Sequence, residues 1–523
     1  MYPPSRRRAV SWMLLLAVWI ALASGLSRSS ADDGVRPQRW IVYITAGTPQ
    51  LRTQLIRQGL DIVSVDLQGV TARLTPAQLR ALEQAGFLCQ VLEAGAQSIP
   101  VDDLYHSFAE TEAELQALAA QHPDIARLEV IRRSVEGRPI YALKISDRAQ
   151  EDEWSEPAVL IFALTHAREH LSTEMALDIL HMLIEGYGRS GEITNLVHQR
   201  EIWIIPDLNP DGDVYDTESG YYRFWRKNRR PNPGGSFGVD LNRNFGYRWG
   251  CCGGSSPSPW EETYRGPAPF SEPESAALRD FVESHPNITA SLSLHSYGEW
   301  ILWPYGYTYE SPPADMRPQD YEAFRRLAGA MADLNGYRAI QASQLYLADG
   351  TADDWLYGAR GIFAFTLELY PRTSNPGFYP PGTVIPAETA RNRPAVLYLL
   401  RMADNPRKVV GEGGDLTPPQ VALTAPAAGA YVSGPLPISA DAGDDIGVTL
   451  VEFIADGRTL GLDEEPPFAL VWEDVPAVGS ARVWARAYDA GGNTAESPPV
   501  LVHFAGSPPG YFPIVQRQSA TSP

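Results

Sequence analysis

The stretch Ala158-Val159-Leu160-Ile161-Phe162-Ala163-Leu164-Thr165-His166-Ala167-Arg168-Glu169-His170 decides how the rest of this chain is read. Its opening run is apolar without interruption, the pattern of a strand covered on both faces of a sheet. A charged, imidazole-bearing segment follows at once. His166 and Glu169 stand i, i+3, and His166 and His170 stand i, i+4, so either pair could share one helical face. Taken alone, the segment also reads as an exposed, charged helix start, because H-x-x-E recurs by chance. A second buried-looking run, Ser291-Leu292-Ser293-Leu294-His295, ends in another imidazole. Two His and one Glu are a set that catalytic zinc uses while keeping one position open for water.

Outward from this stretch, strands and helices alternate over 103–402. Strand candidates are 140–145, 158–164, 202–205, 290–295 and 362–369; helix candidates are 111–121, 172–186, 272–284, 321–334 and 386–402. This is an α/β domain with a mixed, mostly parallel sheet covered by helices. Ahead of it, 38–94 reads βαββαβ. Thr48-Pro49 and the capping box Thr75-Pro76-Ala77-Gln78 open its helices, and Gly59 and Gly86 follow them. That order is a small α+β open sandwich. Residues 403–419 form a Gly/Pro-rich linker, 420–506 an immunoglobulin-like β-sandwich with an Asp456-Gly457 hairpin, and 507–523 a tail.

Arg6-Arg7-Arg8, the apolar segment Trp12 to Ala23, and small residues at Ala21-Leu22-Ala23 or Ser29-Ser30-Ala31 mark 1–31 as a signal peptide, with an uncleaved anchor as the competing reading. A secreted, extracellular protein follows, possessing no later run long enough to span a membrane. At 523 residues the chain exceeds one ordinary domain. Its net charge of -20 argues against nucleic acid and anionic membranes, and the short basic stretch Tyr221 to Arg230 does not reverse this. Its 3 Cys make neither a disulfide framework nor a Cys zinc site; Cys251-Cys252 is either bridged or reduced.

Glu368 is the one charge in the apolar run Gly361 to Tyr370. A carboxylate so placed is a buried ion pair, a strand end turned to solvent, or, beside a metal, a general base. Asn242-Arg243 is either a polar turn or a clamp for a carboxylate.

With these pieces assembled, residues 103–402 resemble the zinc metallocarboxypeptidases of the carboxypeptidase A/B type, and within them the bacterial branch around carboxypeptidase T. The likeness rests on H-A-R-E at 166–169, W-R-K-N-R at 225–229, V-D-L-N-R-N-F at 239–245, L-H-S-Y at 294–297, Y-L-A-D-G-T-A-D-D-W at 346–355 and F-T-L-E-L at 365–369. The resemblance implies one zinc ion held by His166, Glu169 and His295, leaving His170 out. It implies Glu368 as general base and acid, and Arg226 as the group that polarises the scissile carbonyl. Asn242 and Arg243 would clamp the terminal carboxylate, Tyr346 would close over substrate, Arg168 would serve a subsite, and Asp240 would orient His166. Asp353, just before the D-W pair, would lie in the pocket for the terminal side chain with Thr351, Gly306 and Leu302, giving a preference for C-terminal Lys or Arg. The competing reading points Asp353 away and admits apolar side chains.

The βαββαβ unit, as 32–102, resembles the family's pro-segment in topology, to be cut near 94–103 by an activating protease; a permanent accessory domain is the alternative. The resemblance also allows structural calcium, which bacterial relatives can bind, with no residues assigned to it. The substrate is a peptide or protein and the expected state a monomer. The rivals are a peptidoglycan stem-peptide hydrolase or deacylase on the same fold, and an inactive cell-surface binding protein.

Overall fold

The computed structural model describes residues 39–95 and 98–504. The signal peptide and tail expectations, over 1–31 and 507–523, lie outside the described residues. The described residues divide into two compact units, one of 39–184 and 200–414, the other of 185–199 and 415–504.

The first unit opens with β1 (Trp40–Thr45), α1 (Pro49–Arg57), β2 (Asp61–Val65), β3 (Gly69–Leu74), α2 (Pro76–Gln84) and β4 (Cys89–Glu93). The antiparallel sheet order β2-β3-β1-β4 is that of the βαββαβ open sandwich. Thr48 caps α1 by accepting from Leu51 N, and Thr75 and Gln78 form a reciprocal capping box on α2, so the residues that punctuate the sequence set the helix starts. Val42, Ile44, Leu55, Val70, Leu74 and Leu82 fill a core between sheet and helices.

The main domain follows: α3 (Phe108–Gln121), β5 (Ala126–Arg133), β6 (Pro139–Ile145), β7 (Ala158–Phe162), α4 (Leu171–Gly186), then, in the second unit, α5 (Gly191–Gln199). The first unit resumes with β8 (Glu201–Ile205), α6 (Pro210–Thr217), α7 (Pro273–Ser284), β9 (Ile288–Ser296), β10 (Trp300–Trp303) and α8 (Pro318–Asn335). It ends with β11 (Arg338–Gln341), α9 (Ala352–Arg360), β12 (Phe363–Leu369) and α10 (Ile385–Met402). The eight-stranded sheet runs β11-β10-β12-β9-β7-β8-β6-β5. Its central neighbours β12, β9, β7 and β8 are parallel, while β10–β12, β6–β8 and β5–β6 pair antiparallel. Every residue of β7 and β8 is buried, which is why β7 and, after Glu201, the rest of β8 read as apolar runs.

From β7 the chain moves to β8 on one side and to β9 on the other. The carboxyl ends of β7 and β9 therefore flank the point where the strand order reverses, the place where open α/β sheets leave a crevice. The segment read as a linker is in part docked on this unit: Arg407 donates to Asp320 Oδ1 at 2.7 Å, and Lys408 is buried.

The second unit is a β-sandwich of β13 (Gln420–Ala425), β14 (Tyr431–Val432), β15 (Leu436–Gly443), β16 (Val448–Ala455), β17 (Arg458–Asp463), β18 (Ala469–Trp472), β19 (Gly479–Asp489), β20 (Thr494–Glu496) and β21 (Val500–Phe504). Sheets β13-β15-β18 and β14-β21-β19-β16-β17, the latter with β20 beside β19, enclose Ile438, Phe453, Val483 and Phe504. Asp456 and Gly457, at φ 47° and 84°, turn the β16–β17 hairpin as a D-G pair should.

Candidate active site

Three parallel strand ends bring the chemistry together. His295 and Glu368 are direct partners in the β9–β12 register, and β7 lies on the other side of β9. The chain leaves β7 through Leu164, a non-glycine residue at φ 49° whose N–H is held by Ser172 Oγ at 3.0 Å. Such a backbone costs on the order of 1–2 kcal/mol. One correction follows: His166 to Glu169 is not on a helix. Glu169 N–H donates to His166 O across a turn at 3.1 Å, and α4 begins only at Leu171. The i, i+3 pair meets because the turn folds it back.

His166 Nδ1 lies 2.9 Å from Glu169 Oε1, His295 Nδ1 lies 2.8 Å from Glu169 Oε2, and the two Nδ1 atoms face each other at 3.2 Å. All three side chains are buried. Two imidazole nitrogens and a carboxylate converging out of water are the donors of a tetrahedral zinc site, and a divalent cation between them answers the mutual repulsion of their lone pairs. The residues therefore fit zinc. Burial alone would raise the Glu169 carboxyl, but the two imidazoles hold it well below the usual range. His166 turns its Nε2 to Asp240 Oδ1 at 3.2 Å, the partner arrangement that fixes a ligand ring. Asp240 also takes Arg226 Nε and Nη2 on Oδ2 at 3.1 and 2.9 Å, and caps Asn242 N–H at 3.0 Å. His170 points elsewhere, to Asp216 Oδ2 at 3.0 Å, and stands outside the His166–Glu169–His295 cluster.

One cavity is lined by His166, Glu169 and His295 together with Arg168, Arg226, Asn242, Arg243, Tyr346, Asp353 and Glu368. Burial pushes the Glu368 carboxyl up, His295 pulls it down and Glu169 adds to the rise, leaving it at about 8. Asn242 and Arg243 sit on a short 3-10 turn, Leu241–Arg243, where Asn242 Oδ1 accepts from Ala352 N–H at 2.9 Å. The Arg243 guanidinium lies 6.0 Å from the Tyr346 ring. Asp353 is in the first turn of α9, which Thr351 caps by accepting from Asp354 N–H. Its Oδ2 accepts the Thr366 hydroxyl, whereas its Oδ1 is buried without a hydrogen-bond partner. Burial raises this carboxyl to about 6, against the Thr366 hydrogen bond and His295, which lower it. Neighbouring Asp354 is consumed by Gly306 and Tyr307 N–H groups. Thr366 was missed in the sequence, although it stands two residues before Glu368 and so shares its face of β12. Leu302, Gly306 and Thr351 line the same cavity, as does Glu262, which nothing in the sequence had marked.

The far wall belongs to the open sandwich: Ile56, Leu60, Ile62, Val63, Ser64 and Val65 face the cavity. Arg168 donates to Asp61 Oδ1 at 3.3 Å and to Ile62 O at 2.9 Å. Arg52, fully buried, donates to Gln344 O and Leu345 O, both at 2.6 Å, as well as to Ala46 O and Leu67 O within its own unit. Thr53 Oγ1 accepts from Leu347 N–H at 2.8 Å. Helix α1 thus grips the chain on both sides of Tyr346. Elsewhere, Asp147, Glu153 and Glu156, and Asp415, Asp444 and Asp489, each gather carboxylate oxygens within 4.8 Å; no role is assigned to either group. Among the described residues no helix is long and apolar enough to cross a membrane.

Residues 111–395 match the family described as zinc carboxypeptidase, and 419–494 match the bacterial Ig domain. The chain is 39% identical over 436 residues to a zinc carboxypeptidase of Saccharothrix mutabilis subsp. capreolus, across 78% of this chain and 99% of that one. It is 32% identical over 328 residues to carboxypeptidase B of Homo sapiens, across 62% and 75%. Among solved structures it is similar to carboxypeptidase A of Helicoverpa armigera, at 25% identity and a TM-score of 0.62 over 71% of this chain and 99% of that one.

Proposed function

Because the chain belongs to the zinc carboxypeptidase family, we propose that it is a secreted enzyme that removes C-terminal Lys or Arg from peptides and proteins. The observation that carries this reading is Asp353: a carboxylate oxygen, buried and unpartnered, in the same cavity as the ligand set and the Asn242–Arg243 pair. A buried carboxylate with one oxygen left unpartnered is costly, and a cationic side chain satisfies it. The clamp selects chain ends, since only there does a carboxylate meet Arg243. When bound by His166, Glu169 and His295, zinc supplies Lewis acidity to the carbonyl and a more acidic water. Glu368 takes the proton of the attacking water and delivers it to the leaving amine. Its raised affinity for protons suits both halves of that task. Arg226, held by Asp240, stabilises the charge that develops on the carbonyl oxygen.

The open sandwich is read as a pro-region. Asp61 and Ile62 occupy Arg168, and Ile56 of α1 with Ile62 to Val65 of β2 lines the cavity, which supports a unit that covers the site until the 94–103 segment is cut by another protease. The N-terminal Arg6-Arg7-Arg8 and apolar segment support export.

The test is release of C-terminal Arg against Phe from matched blocked peptides, with protein lacking residues 1–102, with and without a zinc chelator. Chelator-sensitive release with Arg strongly favoured supports the reading. Equal release, or Phe favoured, sinks the Asp353 assignment. No release of either moves the substrate to peptidoglycan stem peptides or removes the enzymatic reading.

A further inference from the structure

Two residues of the Tyr346–Trp355 segment, Asp349 and Gly350, do nothing in the chemistry above, yet they are packed against the carboxylate clamp. Asp349 is 0% exposed. Its Oδ2 accepts from Cys252 N–H at 3.0 Å and Gly254 N–H at 2.7 Å, and its Oδ1 accepts the Ser255 hydroxyl. Three donors converging on one side chain need the lone pairs of a carboxylate; an amide or hydroxyl offers too few. The loop so held returns the contact. Gly254 O accepts from Arg243 Nε at 3.0 Å, while Arg243 Nη1 donates to Asn242 O at 2.7 Å. Arg243 is 2% exposed, so its guanidinium is aimed by these carbonyls rather than by water.

The approach tolerates no larger residue. A Cβ on Gly254 would lie 2.5 Å from Asp349 N and 2.6 Å from Ala348 Cα, and one on Gly350 would lie 2.5 Å from Arg243 O. The Cys251–Cys252 disulfide closes a ring between neighbouring residues at the start of the loop. On its outer side the loop meets the N-terminal unit, Arg57 donating to Cys252 O and Gly253 O at 2.5 and 2.7 Å.

We propose that Asp349 is a positioning residue for the terminal-carboxylate clamp: it fixes the Cys251–Ser255 loop, whose Gly254 carbonyl in turn fixes the Arg243 guanidinium. Asp349 touches no substrate. It also lies three residues beyond Tyr346, so the segment that carries the closing ring carries the anchor of the clamp as well. The inference rests on the carboxypeptidase reading of Asn242 and Arg243.

The experiment uses the full chain converted by limited proteolysis, a blocked dipeptide ending in Arg, and the same dipeptide as its C-terminal amide. Asp349→Ala raises KM for the acid roughly tenfold or more with kcat changed less than about threefold, as expected when a binding group loses its aim while the reacting groups keep theirs. Zinc content stays at the wild-type value. Asp349→Asn, which keeps one acceptor oxygen for the two loop amides, recovers part of the KM. An unchanged KM in both variants overturns the proposal, and so does a joint fall of kcat, zinc content and melting temperature, which marks a merely structural acid. Should Asp349→Ala fail to fold, Ser255→Ala removes a single donor from the loop and must still raise KM; an unchanged KM there is equally fatal. A wild type that cleaves acid and amide alike defeats the reading of the clamp itself, a result distinct from variants that leave an acid-selective enzyme untouched.

Discussion

At the scale of single residues, the cavity sorts its carboxylates by what surrounds them. Glu169 is held ionised by two imidazoles, while Glu368, the direct register partner of His295, is pushed by burial toward the protonated form. On the proposed mechanism, replacing Glu368 by Gln removes the proton carrier and leaves His166, Glu169 and His295 in place: kcat falls by about 10² to 10⁴ with zinc stoichiometry unchanged, as read by steady-state kinetics beside metal analysis. Retained activity would hand the proton transfers to another group. Asp353 yields a pH prediction with a definite sign. Burial raises its pKa to about 6, so the neutral form dominates below that value and the ionised form above it. A neutral Asp353 no longer attracts a cation, so the ratio of kcat/KM for Arg over Leu peptides falls as pH drops from about 8 to about 5. Ionisations shared by both substrates cancel in the ratio. A flat ratio would place Asp353 outside the pocket. Asp353→Ala lowers Arg turnover by on the order of 10²-fold and spares Leu, because the lost pair is desolvated.

At the scale of elements, the parallel strands explain both what was legible and what was not. An uninterrupted apolar run announced β7 and a buried-looking Ser/Leu run announced β9, and the imidazoles that follow β7 and close β9 marked the crevice at the carboxyl ends of the parallel strands. The conformation between β7 and α4 was not legible: H-x-x-E spacing suits a helix, and only the left-handed Leu164 and the turn at 166–169 show how the pair meets. Thr366 escaped because a lone hydroxyl in a strand carries no pattern, and Asp349 because its partners, two backbone amides and one serine hydroxyl, stand nearly a hundred positions earlier in the chain. Helix α1 carries the prediction at this scale. Arg52 and Thr53 tie the open sandwich to the Tyr346 segment by hydrogen bonds out of water, each worth about 1–3 kcal/mol when its partner is left bare. Arg52→Ala in the uncut chain therefore raises turnover of a small Arg dipeptide several-fold and speeds proteolytic removal of the unit. If the uncut variant stays as silent as wild type, the hold lies in Asp61 and the cavity wall instead.

At the scale of the whole molecule, the sequence suggested beads on a string, yet the second compact unit takes in Glu185–Gln199 from the middle of the chain. Adjacency in sequence could not reveal this, since α5 looks like any amphipathic helix of an α/β domain. Its partners lie in the sandwich: Asn195 Nδ2 donates to Asp489 O at 3.0 Å, and Thr449 Oγ1 donates to Asn195 Oδ1 at 2.5 Å. A Cβ on Gly191 would meet the Tyr488 ring at 2.6 Å, so the helix is seated closely. A chain ending at Gly414 deprives α5 of those contacts and wets Asn195 and its neighbours, whereas His166, Glu169, His295, Glu368 and the clamp all belong to the other unit. Truncation should therefore lower the melting temperature by roughly 2–8 °C, the shift of one to two kcal/mol in domains of this size, with zinc stoichiometry and kcat/KM on a small substrate preserved. Calorimetry of the two chains beside metal analysis decides it. An unchanged melting temperature would mean that α5 is held without the sandwich, and loss of zinc would mean that the sandwich reaches the catalytic centre, which nothing in the ligand geometry requires.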